Sequence, residues 1–390
     1  MRPDIRCGAI LVAGLAVGCG SNGDSSPNAG PVDASSEPSI DGASDGTTDT
    51  SSPHDASGGD APGDAGPANR ANGTLWDWQT LTAMPLPRAN HCSVTIGSWL
   101  VVIGGNYAGD GGFVSTDTVH VAPIQPDGTL GAWSQAGATP SPVFECTAVS
   151  GGTTLYVVDG IYDDPSKGAQ VWSADLSAQG KLATWKSLGP LPGQERALYS
   201  NAWIQNGTLY AMDANLTGDV MVMLRAPLGT SGLGAWSQDA WLPGFRGHPQ
   251  YALTGSFVYV LGGYVSDDAG NLPVAIDVNG APIKPGGAVG AAFATTALPT
   301  PVAFGTVAAV DDYLFLVGGK DAAFTGSGQT QTASAQVAAG GQLAPWAQQA
   351  PLPEGRTNHA MAVGGDYVFV TGGGSQGPGL DTVFSARVRF

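Results

Sequence analysis

The sequence predicts an all-β protein, a six-bladed β-propeller over residues 72–390, behind a long acidic segment that cannot build a core. Three observations carry the prediction. A tryptophan-to-proline spacing recurs along the chain, a glycine-rich landmark follows each proline at a near-constant distance, and the two ends of the region complement one another. Composition agrees. Charged residues make up only 12% of the chain, which is too few for the wet faces of long helices, while 59 Gly and 28 Pro supply turns.

The repeat comes first because it sets the count. Tryptophan is followed seven residues later by proline in Trp78/Pro85, Trp133/Pro140, Trp185/Pro192, Trp236/Pro243 and Trp346/Pro353. A sixth copy reads Ala292/Pro299, with Phe293 beside the missing indole. Nineteen residues after each proline, or 21 in one copy, an apolar run ends in Gly-Gly or its remnant. Ile103-Gly104-Gly105, Leu261-Gly262-Gly263, Val317-Gly318-Gly319 and Thr371-Gly372-Gly373 are intact, whereas Val158-Asp159-Gly160 and Met212-Asp213-Ala214 are worn. The period is 51 to 56 residues.

Each unit holds four strand-like stretches. In the first, His91–Ile96 and Leu100–Ile103 flank a Gly-Ser turn, and Thr118–Ile124 alternates. Gln125-Pro126-Asp127-Gly128 then has turn chemistry leading into Thr129–Trp133. Four antiparallel strands are one blade. The sixth unit stops after its third strand, at Arg387-Val388-Arg389-Phe390. Gly73-Thr74-Leu75-Trp76-Asp77-Trp78 has the pattern of the strand it lacks. The N-terminal strand is therefore expected to complete the last blade and leave no open edge.

Gly-Gly after an apolar strand, an aromatic residue near the blade end and a period near fifty resemble the kelch repeat. The likeness spans residues 72–390, strong in blades 1, 4, 5 and 6 and degraded in 2 and 3. Ligand-binding kelch propellers use loops around one mouth of the central channel. The resemblance therefore directs attention to residues just before each innermost strand: Arg88, Asn90 and His91, then Glu145, Arg196, Arg246 with His248, and Arg356, Asn358 with His359. Arg88, Arg246 and Arg356 share one offset, three after the proline. Converging guanidinium groups would suit carboxylates or phosphates, whereas the structural alternative ties each to carbonyls of its blade.

His91 and His359 share a register in blades that become neighbours on closure. No third ligand matches them, so neither a metal nor a cofactor is expected. Cys92 and Cys146, each five residues before Gly97 or Gly151, read as equivalent positions of adjacent innermost strands. They are either a disulfide or two buried thiols. The tryptophans read as core between blades.

The region ahead of the propeller reads as two segments. Residues 1–19 carry Arg2 and Arg6, then the short apolar run Ala9–Val17, far too short to span a bilayer. The run ends in Leu15-Ala16-Val17-Gly18-Cys19, which resembles the lipobox of bacterial lipoproteins. That likeness implies cleavage before Cys19, its lipidation, and anchoring to a membrane; Gly20 behind it points to the outer one. Residues 20–71 are rich in Ser, Asp, Gly and Pro and cannot bury enough apolar surface to offset ordering entropy, so a disordered linker is expected. As a flexible coil it spans roughly 40 Å.

Net charge is −17 overall, and the propeller region keeps 22 acids against 12 bases. With no basic run, nucleic acid is excluded as a partner. The functional expectation is a non-enzymatic, surface-anchored binding protein whose Arg/His loops take a polypeptide or an anionic glycan. Two alternatives stand beside it. Some bacterial kelch-like proteins act on sialic acid as mutarotases, which makes a carbohydrate-active enzyme the first. A purely architectural envelope module is the second. No hydrolase elbow, zinc helix or phosphate loop is present to favour other chemistry.

Overall fold

The computed structural model describes residues 72–110, 112–168, 170–192, 201–214, 220–229, 232–243, 246–265, 271–322, 327–374 and 379–389. The signal segment, Cys19, the linker and Arg196 lie outside them. Six antiparallel sheets form the blades of a propeller, their strands paired in sequence order from the channel outward. Blade 1 runs Cys92–Ile96, Trp99–Ile103, Thr118–Pro123, Ser134–Ala138. The innermost strands of blades 2 to 6 are Thr147–Gly151, Asn201–Gln205, Gln250–Leu253, Thr306–Val310 and Ala360–Gly364. The outermost strand of blade 1 begins after Trp133, not before it. Thr129–Trp133 is taken up by the approach, in which Leu130 bridges Ile124.

Second strands are the most hydrophobic because a neighbouring blade covers each face. Leu100, Val101, Val102 and Ile103 are wholly buried, as are Leu314–Val317 and Val368–Val370. Such strands show continuous apolar runs instead of alternation. Each fully buried side chain contributes about 1.5–3 kcal/mol.

The ring closes as the sequence requires. Thr74 and Leu75 pair with Arg389 and Val388, and beyond Trp78 the residues Gln79 and Thr80 pair with Ser385 and Phe384. The blade tryptophans link neighbours. Trp133, Trp185, Trp346 and Trp78 each donate an indole N–H to a backbone carbonyl of the preceding blade's outer region, at Thr82, Ala138, Thr296 and Ala350.

Gly-Gly pairs join blades near the axis. The second glycine donates its N–H to the carbonyl three residues after the next proline: Gly105 to Val143, Gly263 to Val302, Gly319 to Arg356 and Gly373 to Arg88, at 2.7–2.9 Å. Space forbids a side chain at the first glycine. A Cβ on Gly372 would stand 2.5 Å from the Arg88 carbonyl oxygen, and Gly372 has a φ of 53°. In blade 2 Asp159 adopts the same left-handed backbone, with φ 59°, so the turn survives the loss of its glycine.

Candidate functional site

Five residues after the proline, every described blade turns into its innermost strand through a left-handed residue. These are Asn90, Glu145, His248, Phe304 and Asn358, with φ between 47° and 58°. That backbone costs a non-glycine residue about 1–3 kcal/mol. The return is a collar of backbone hydrogen bonds around the axis. Glu145 N–H donates to the Asn90 carbonyl (2.7 Å), Asn90 to Asn358 (2.9 Å), Asn358 to Phe304 (3.0 Å) and Phe304 to His248 (3.2 Å). Side chains of the collar wall a mouth cavity of about 150 Å³, completed by Asn201, Tyr251 and the two histidines His91 and His359. Behind it the channel holds about 490 Å³ between the six innermost strands, with no Asp, Glu, Lys or Arg among its described lining residues.

The next position, six after the proline, latches blades 1, 2 and 6 to the blade before each, through His91, Cys146 and His359. His359 Nε2 lies 2.9 Å from Oγ1 of Thr306, which opens the innermost strand of blade 5. Cys146 occupies the same position in blade 2 and is disulfide-bonded to Cys92, the corresponding residue of blade 1, with Cα atoms 5.6 Å apart. The bond is thus a covalent counterpart of the histidine latch. His91 has an alanine, Ala360, at that corresponding place and reaches Thr371 Oγ1 instead, at 2.8 Å. The two cysteines are therefore not equivalent, as their spacing to Gly97 and Gly151 suggests. Cys92 is the first strand residue, paired with Ile103, whereas Cys146 precedes its strand, whose first pair is Thr147 with Val158.

Burial sets the protonation of this region. His359 is pushed down to about 3, by burial first and then by Arg356. His91 lies well below its usual range, through burial and then Arg88. His248 is lowered likewise, by burial and then Lys320. All three are neutral at pH 7. Glu145 is pushed up to about 7 by burial alone. No hydrogen-bond donor or cation among the described residues reaches its carboxylate.

The arginines do something else. Arg88 is fully buried and donates to Gly104 O (2.7 Å) and Thr118 Oγ1, with His120 Nδ1 at 2.9 Å. Arg356, also fully buried, donates to Gly372 O and to Thr382. Arg246 donates to Gly262 O and pairs with Asp277. Each guanidinium thus binds the carbonyl of the first glycine in its own blade, holding that turn. None of the three lines the mouth, so the expected convergence of Arg88, Arg246 and Arg356 around the channel is corrected. Blades 2 and 5 carry buried valines, Val143 and Val302, at that offset. Among the described residues no three His, Cys, Asp or Glu side chains stand close enough to hold a metal ion.

Of the residues singled out in the sequence, Asn90, His91, Glu145, His248, Asn358 and His359 meet at the mouth. Sequence reading missed Phe304, Asn201 and Tyr251. The register that marks Glu145 marks Phe304 too, since both lie five after a proline. Asn201 and Tyr251 carry no such signal.

No protein-family model and no curated protein matches the chain. Among solved structures, that of YjhT is similar over 78% of this chain and 95% of its own, with 14% identity and a TM-score of 0.57. At that identity the likeness is one of fold, and the fold is the six-bladed β-propeller.

Proposed function

We propose that this is a non-enzymatic binding protein of the bacterial envelope, a kelch-like propeller held by lipid at Cys19, with its ligand site at the channel mouth. The mouth cavity carries the reading. The collar fixes Asn90, Glu145 and Asn358 around one opening, and neutral histidines and aromatic rings complete the wall. A concave site with a few convergent polar groups and a shifted carboxyl is the usual form of a small-ligand pocket. The disulfide supports export to an oxidising compartment. An anionic ligand is disfavoured because Arg88, Arg246 and Arg356 are spent inside their blades. The carbohydrate-enzyme reading keeps one supporting observation, a carboxyl titrating near neutrality. Among the described residues no cation lines the mouth to hold a sugar acid, Lys320 standing against the Phe304 ring.

A thermal-shift screen of small solutes and short peptides tests the site, run on the protein and on Asn201→Trp, which fills the opening. Solutes that stabilise the parent and not the variant are expected. Equal stabilisation of both would place binding elsewhere.

A further inference from the structure

The polar groups of the mouth are unbalanced, and the imbalance names a ligand class. Acceptors stand open. Glu145 has no partner for its carboxylate among the described residues. Asn90 lines the mouth and uses its amide N–H₂ on Asn106 Oδ1 at 3.2 Å. His91 Nε2 lies 2.8 Å from Thr371 Oγ1, and its Nδ1 has no partner among the described residues. His359 Nδ1 likewise has none, nor, deeper in the channel, has Gln250 Oε1. The carboxylate calls for hydrogen-bond donors, and a neutral imidazole beside it offers one lone pair. A metal does not fit the mouth, since no three such side chains converge among the described residues.

We propose that the mouth binds a primary ammonium group, with Glu145 as its counter-ion. The inference rests on the mouth being the ligand site. An ammonium brings three donors and one positive charge, which suits one carboxylate among neutral acceptors. Tyr251 and Phe304 add aromatic wall, and Lys320 shows what such a ring tolerates, its Nζ lying 4.4 Å from the Phe304 centroid. The other titratable groups facing Glu145 are His91, His248 and His359, all neutral at pH 7. The nearby guanidinium groups of Arg88 and Arg356 are fixed to carbonyls behind the wall. The acidic propeller region attracts cations from a distance.

The test is calorimetric titration of the full chain at pH 7.5 with n-butylamine, glycylglycinamide, n-butanol and butyrate. The alkylamine and the dipeptide amide separate a simple amine from a peptide N-terminus as the source. Binding of either amine, with butanol and butyrate inert, is the expected result. Glu145→Gln should weaken it at least tenfold, and n-butylamine titrated in buffers of different ionisation heat should show proton release that the variant lacks. A merely structural Glu145 would not move that proton signal. Butanol binding as well as butylamine, or an unchanged Glu145→Gln, overturns the proposal. Butyrate binding that Asn201→Trp abolishes would overturn it too, while leaving the mouth as the site. If no probe binds, the ammonium assignment falls, and the solute screen alone then decides on the mouth.

Discussion

Glu145 and the histidines around it pull stability in opposite directions with pH. Between its ordinary value of 4.5 and about 7, Glu145 is protonated in the folded chain and ionised in the unfolded one. Its contribution therefore falls as pH rises through that window. His91, His248 and His359 behave oppositely. Below 6.5 they take up protons only on unfolding, so acidification destabilises the fold as pH drops toward about 3. The sum over three histidines outweighs one carboxyl, and stability should rise from pH 4 to 6.5. Glu145→Gln removes the opposing contribution, so its denaturation midpoint should climb more steeply with pH than the parent's over that range. Parallel slopes would mean that Glu145 is not held protonated. At this scale the sequence was half legible. Position identified Glu145 and the histidines, because offsets from a proline map onto angle around the axis. The role of the arginines was not legible, because one offset serves a channel-facing side chain as well as one folded back onto its own Gly-Gly carbonyl.

Repeated elements were easier to read, since each landmark answers a packing demand that recurs six times. Gly-Gly persists where a backbone from the next blade leaves no room. Gly372 and Gly97 separate the two reasons for glycine. Both have left-handed backbone, with φ 53° and 57°. A Cβ on Gly97 meets nothing within 4 Å, while one on Gly372 meets Arg88 O at 2.5 Å and His91 Cε1 at 2.7 Å. Gly97→Ala should cost about 1 kcal/mol by backbone alone, and Gly372→Ala clearly more, since His91 and the collar must shift with it. Chemical denaturation of both variants measures the difference, and equal losses would refute the close-packing account. The disulfide illustrates the limit of spacing arguments. The sequence left Cys92 and Cys146 open between bond and thiols, and counting to Gly97 and Gly151 put them one register out. A one-residue offset at a strand entrance is invisible without knowing where pairing starts.

For the whole molecule the sequence was most informative, because blade number and closure depend on period and on complementary ends instead of side-chain direction. The propeller and the pairing of Thr74–Leu75 with Arg389 and Val388 follow from those alone. The proposed anchor belongs to this scale. Cys19→Ser should move the protein from the membrane fraction to the soluble fraction of cells producing it. Detergent-dependent extraction unchanged by Cys19→Ser would remove lipid from the proposal.

Closure also orders events in time. Blade 6 takes its inner three strands from the last thirty or so residues and its outer edge from residues near Thr74 and Gln79, the first of the propeller to leave the ribosome. Until Arg389 has emerged, the earliest part of the propeller has no partner and the ring stays an open arc. The complete architecture is thus withheld until synthesis ends, and under the proposed export this is a built-in delay against folding on the wrong side of a membrane.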